Sequence, residues 1–196
     1  MTPKLGRLTA HILITALSLS GVVACAPQME VTSSTETGAA TATEPTIFKC
    51  KQYGESRGTF AQLGNVESRS PVIAWNTTEF GSEYTPERRC EIVSERLTDA
   101  VAKNGGRLSN LSLKTGRVDT GQTVVCVVTQ ESQSCNRENM LFTLSQKNAQ
   151  NPNQALANII AFSRGEESTV IEGGLDQSLF SLQELVNKNL PKTSGF

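Results

Sequence analysis

The 196-residue sequence contains one histidine, His11, and few aromatic residues, among them a single tryptophan. It has no GxGxxG, no P-loop pattern and no DxDxDG loop, which excludes dinucleotide, P-loop nucleotide and EF-hand readings. His11 lies in a segment expected to be removed. Without an imidazole, Ser-His-Asp and Cys-His nucleophile systems lose their base, and the usual catalytic zinc sites lose their ligands. There is no CxxC pair, no internal repeat and no coiled-coil period. No apolar run is long enough to span a bilayer comfortably. Charge of one sign is also missing: 18 basic residues face 19 acidic ones. The chemistries left are carboxylate catalysis, a Ser-Lys dyad, or none.

What is present begins with Lys4 and Arg7 ahead of a nearly uncharged run from Ile12 to Ala24, the pattern of a secretory signal. It ends in Val22-Val23-Ala24-Cys25, which resembles the bacterial lipoprotein cleavage box. Cleavage before Cys25 would leave that residue as a lipidated N-terminus. An ordinary cleaved signal and a membrane-spanning helix are the alternatives. Loss of Lys4 and Arg7 leaves a slightly acidic chain, so nucleic acid is not an expected partner. Residues 25–46 read as the lipidated cysteine and a Ser/Thr/Ala-rich disordered tether, reaching about 25 Å as a flexible coil. A single globular domain is expected over 47–190, with a tail at 191–196.

The domain is organised around Pro71 to Leu97. Pro71-Val-Ile-Ala-Trp75 reads as a short strand buried on both faces. Thr85-Pro86-Glu87 supplies an N-cap hydroxyl, a proline at the first helical position and an acid at the positive end of the dipole. Along this helix Cys90, Val93, Leu97 and Val101 recur at core spacing, while Arg88 with Glu91 and Arg96 with Asp99 are expected to pair on the wet side. Asn104-Gly105-Gly106 ends it.

Trp75, the Glu79-Phe80 turn, Tyr84-Thr85-Pro86-Glu87-Arg88-Arg89-Cys90, Val93-Ser94 with Arg96, Thr115-Gly116-Arg117, Val124-Val125-Cys126-Val127 and Leu141-Phe142-Thr143-Leu144 together resemble the circadian oscillating protein family of cyanobacteria. The resemblance runs from Phe48 to Leu144, with no clear signature after Ala149. It implies a membrane-associated or cell-surface protein whose abundance follows the daily cycle, and brings no known reaction or catalytic residue.

Around that centre, Ile47 to Tyr53 and Thr59 to Leu63 read as strands joined by a turn over 54–58. Leu108 to Lys114 alternates like a half-buried strand, and Gly116 with Asp119-Thr-Gly121 turns the chain. Thr123 to Thr129 pairs with Met140 to Leu144 across a polar loop. Asn151-Pro152-Asn153 opens a helix carrying Leu156, Ile159, Ile160 and Phe162, ended by Gly165. Leu175 to Leu190 reads as a last helix with Leu179, Leu182, Leu185 and Val186 on one face. The expected fold is α+β, an antiparallel sheet with about three helices packed on it.

Cys50, Cys90, Cys126 and Cys135 make an even set outside the cytoplasm and argue for two disulfides over a four-cysteine zinc site. The expected pairing joins Cys126 to Cys135 across the polar loop, and Cys50 to Cys90 between the first strand and the helix. Pairing of Cys50 with Cys126 or Cys135 remains open. No metal or other cofactor is expected.

Glu166, Glu167 and Asp176, or Glu79 with Glu83, could supply paired carboxylates for a hydrolase of the cell envelope. Solvated loop charge is the plainer account of them. Ser94 with Lys103, or Ser145 with Lys147, could form a nucleophile and amine base, but surface serine accounts for both. Trp75 is expected in the core. Tyr84, Arg88 and Arg89 gather at the exposed helix start, where tyrosine and arginine suit an interface. They are the candidate contact residues for a protein or envelope partner in a non-catalytic, lipid-anchored, extracytoplasmic binding module.

Overall fold

The computed structural model describes residues 44–163 and 179–191. The signal segment, Cys25, the tether up to residue 43, Gly165, Glu166, Glu167, Asp176, the expected helical turn at 175–178 and the end of the tail lie outside the described residues. Thr46, assigned to the tether by composition, instead opens the first strand and is buried.

The fold is α+β, and its strands divide into two antiparallel sheets. In the first, β1 (Thr46–Tyr53) and β2 (Ser56–Leu63) form a hairpin in which Tyr53 pairs with Ser56. The connecting turn is therefore Gly54-Glu55, with Gly54 at φ 56°, rather than the five residues expected from composition. The short strands β3 (Val66–Glu67) and β4 (Ile73–Trp75) pair with the other side of β2 at its two ends. In the second sheet the order is β7-β6-β5-β8, with β5 Ser112–Arg117, β6 Thr123–Val128, β7 Met140–Thr143 and β8 Leu179–Ser181.

Helix α1 (Pro86–Lys103) starts as its capping residues dictate: the Thr85 hydroxyl accepts from the Arg88 amide at 3.2 Å and Pro86 occupies the first turn. It ends on Gly105 and Gly106 at φ 69° and 79°, the Gly106 amide donating to the Val101 carbonyl at 2.9 Å. Cys90, Val93, Leu97 and Val101 are buried, as the three- and four-residue spacing requires. Two polar residues on α1 serve the sheet edges. The Thr98 hydroxyl accepts from the Phe48 amide of edge strand β1 at 2.8 Å, and Arg96 Nη1 donates to the Leu141 carbonyl of edge strand β7 at 2.7 Å. Each bond satisfies a backbone group that its own sheet leaves unpaired. Arg96 is thus bonded to backbone instead of pairing with Asp99. A bulge near Val125 and Cys126 leaves Leu141 outside the β6–β7 register, which accounts for its spare carbonyl.

Helix α2 (Pro152–Ser163) and helix α3 (Leu182–Asn189) complete the core with Leu156, Ile160, Leu182, Leu185 and Val186. The last segment begins as a strand where a helix was expected: Leu179 to Ser181 pair with Lys114 to Ser112, and α3 starts only at Leu182. The Ser181 hydroxyl accepts from the Glu184 amide at 3.3 Å and caps that start. Free strand groups on β5 outweigh a weak local helix preference here.

Strand β6 is buried on both faces. Val125 and Val127 join the main core, while Val124, Cys126 and Val128 form a second cluster with Val118 and Cys135. The loop over this cluster is held by the Cys126–Cys135 disulfide, Cα to Cα 5.7 Å, and by Lys114 Nζ donating to the Glu131 carbonyl at 2.5 Å. Gly116 lies inside β5, opposite Val124, and does not turn the chain. A Cβ there would sit 2.8 Å from Cys135 Sγ, so glycine is required by close approach. Gly116→Ala is expected to destabilise the domain by about 1–3 kcal/mol through overpacking. Thermal unfolding beside Thr115→Ala, on the same strand, checks this; equal melting temperatures would show that the loop yields freely.

Candidate functional site

The second disulfide, Cys50–Cys90, has a Cα–Cα distance of 5.4 Å and ties β1 to the first turns of α1. Beside it the Thr59 hydroxyl, fully buried, accepts from Trp75 Nε1 at 3.0 Å and from the Ser94 hydroxyl at 3.2 Å. Ser94 is therefore buried and engaged, neither the surface serine expected from sequence nor an available nucleophile. Lys103, nine residues along, lies at the far end of the same helix. The Ser145 hydroxyl accepts from the Asn148 amide at 3.4 Å, just ahead of a short 3-10 turn.

Trp75 is only 3% exposed and meets Phe142 of β7 edge-on, ring centroids 5.2 Å apart. It joins the two sheets and offers no face for a ligand. The Arg89 guanidinium lies over the Trp75 ring at 5.4 Å and over Phe80 at 4.8 Å. Arg89 Nη2 donates to the carbonyl of Thr77, and to its hydroxyl at 3.1 Å. Burial pushes the Arg89 pKa below the usual arginine value, with the charge of Glu79 opposing that shift. Its Nε is buried with no acceptor, a polar cost that the two aromatic faces partly offset.

Of the three residues that sequence places at the helix start, two face solvent. Tyr84, in the 3-10 turn Ser82–Tyr84, is 51% exposed, and the Arg88 side chain is 62% exposed, 3.6 Å from Glu91. Arg89 turns inward, and its fork is committed to Thr77. It therefore serves as a wall of the site and does not present a free fork to a partner. Glu79 and Glu83 are both exposed, and the charge of Glu79 acts on Arg89. Among the described residues no group of His, Cys, Asp or Glu side chains could hold a metal ion.

Arg89 and Tyr84 also line a groove of about 280 Å³ between α1 and β7. Ile92 and Arg96 form its helix side and Met140 to Thr143 its strand side, with Phe80 and Gln122 also lining it. Sequence reading missed this groove because it joins residues fifty positions apart. One hint was legible: Ile92 is apolar yet lies off the Cys90-Val93-Leu97 stripe, so the core does not account for it.

No curated protein and no solved structure matches the chain. A family model described as Circadian oscillating protein COP23 matches residues 47–187, from β1 into α3. The match runs past Ala149, beyond which no signature was legible by eye, and takes in α2, β8 and most of α3. The chain thus belongs to the circadian oscillating protein COP23 family.

Proposed function

We propose that the protein is a lipid-anchored, extracytoplasmic binding module without catalytic activity, whose contact surface centres on Tyr84 and Arg88. The observation that carries this reading is the exposure of both side chains at the start of a helix that a disulfide and two sheet edges hold in place. Such a surface binds without reorganising, and an exposed arginine fork suits a carboxylate or phosphate on an acidic protein or envelope polymer. The anchor rests on Val22-Val23-Ala24-Cys25 after an uncharged run. Two or three acyl chains would hold it at a membrane, at about 0.8 kcal/mol per buried methylene. The disulfides accord with an oxidising compartment.

Cys25→Ser is expected to move the protein from the membrane to the soluble fraction, with the acyl mass lost from its N-terminus. Unchanged mass and partition would refute the anchor. Tyr84→Ala with Arg88→Ala is expected to leave melting unchanged while abolishing crosslinking to the partner in intact cells. Retained crosslinking would place the interface elsewhere. A hydrolytic turnover lost on a single Glu→Gln change would favour an envelope hydrolase instead.

A further inference from the structure

We propose that the groove between α1 and β7 binds a small carboxylate carried on an apolar body, with Arg96 as the anion anchor. This goes beyond the reading of the Tyr84 face as a binding surface, with which it shares only Tyr84. The walls divide into two kinds of chemistry. Ile92, Met140 and Phe142 are partly exposed apolar surface, whereas Arg96, Gln122 and Thr143 bring polar groups to the same space. No lining residue is acidic; Arg89 is opposed by the nearby charge of Glu79, so Arg96 chiefly sets a positive potential in a partly dehydrated space.

Arg96 has the geometry of an anchor. One N–H of its Nη1 donates to the Leu141 carbonyl at 2.7 Å, which holds that end of the guanidinium beside β7, and it makes no ion pair among the described residues. Of the four N–H groups left, the one on Nε and one on Nη2 lie parallel along one edge of the guanidinium. That edge matches the two oxygens of a carboxylate in bidentate geometry. Arg96 also borders an adjoining depression that carries Asp99, Glu138 and Lys103, but neither of those carboxylates lines this groove. Gln122 Oε1 accepts from the Thr120 hydroxyl at 3.1 Å, which leaves its amide NH2 as a further donor. The occupant is small: about 280 Å³ lies just under the roughly 300–1,000 Å³ of drug-sized sites. A charged head on Arg96 and an apolar body over Phe142, Met140 and Ile92 use both kinds of wall.

The test is calorimetric titration of the full chain in nonionic detergent, blanked with empty micelles, using 3-phenylpropionate as the probe. Saturable binding is expected, at least tenfold weaker for the neutral 3-phenylpropanamide and for Arg96→Gln, a difference of about 1.4 kcal/mol. Because Arg96→Gln also removes the Leu141 hydrogen bond, Ile92→Glu provides a second variant. It places a carboxylate in the groove from a partly exposed position and is expected to abolish binding with melting little changed. Absence of saturable binding, equal binding of the amide, or unaltered binding by Ile92→Glu would overturn the proposal. So would displacement of the acid by an equal concentration of inorganic phosphate. A wild-type protein that crosslinks its partner but binds no acid rejects the groove and leaves the surface reading standing. One that binds the acid while the Tyr84 and Arg88 variant keeps its partner supports the groove and rejects that surface.

Discussion

Replacing Cys50 and Cys90 together by alanine should lower the unfolding free energy by about 3.9 kcal/mol, the loop-entropy value for a 40-residue separation. For a domain of this size that is roughly 8–16 °C in melting temperature. The same change at Cys126 and Cys135, separated by 9 residues, should lower it by only about 2.6 kcal/mol. Topology points the same way as loop length. The first bridge fastens edge strand β1 to α1, which in turn covers edge groups of both sheets, whereas the second secures one loop over a side cluster. Denaturant unfolding followed by Trp75 fluorescence measures both. Equal losses, or a loss under about 1 kcal/mol at Cys50 and Cys90, would mean that the unfolded chain retains the β1–α1 contact without the bridge.

Trp75→Ala should lower stability by about 3–5 kcal/mol, the range for emptying a buried aromatic site. The ring is the joint between the sheets: it lies on β4, meets Phe142 on β7, and forms one face of the Arg89 stack. Trp75→Phe keeps an aromatic ring but removes Nε1, the donor to Thr59, and should lose about 1–3 kcal/mol. Combining Trp75→Leu, which removes the aromatic face, with Arg89→Met in a double-mutant cycle should give a coupling of about 0.5–2 kcal/mol. Denaturant unfolding followed by circular dichroism provides the readout. Additive losses would show that the stack contributes nothing beyond its separate contacts. A Trp75→Ala loss below about 2 kcal/mol would show that the two sheets are held together elsewhere.

The elements that were legible in the sequence are those whose signals are local. Thr85-Pro86 and Asn104-Gly105-Gly106 bound α1 by the hydrogen bonds they offer to helix ends, and Cys90, Val93, Leu97 and Val101 show its buried stripe by period alone. The valines around Cys126 read as a strand because they are buried on both faces, and the expected disulfide pairing, left open against Cys50 with Cys126 or Cys135, is the one the structure has. Gly116 misled because a glycine needed for clearance from another chain segment looks the same as one needed for a turn. Leu179 to Ser181 misled because their leucine spacing fits a helix, while the unpaired side of β5 lies more than sixty residues back in the chain.

Composition and short-range order thus sufficed for the fold class, the main helix, the number of covalent bridges and the absence of an imidazole beyond His11, while the structure decided which cysteines pair. Tertiary structure alone decided that the strands form two sheets, that Arg89 turns inward between Trp75 and Phe80, and that Arg96 bonds to Leu141 beside a groove. The physical reason lies in the range of the forces. Caps and periodicity act within a few residues, so each window of sequence carries its own answer. The direction of an exposed helical arginine depends on which aromatic ring or spare carbonyl the folded chain brings beside it, and no local window contains that neighbour.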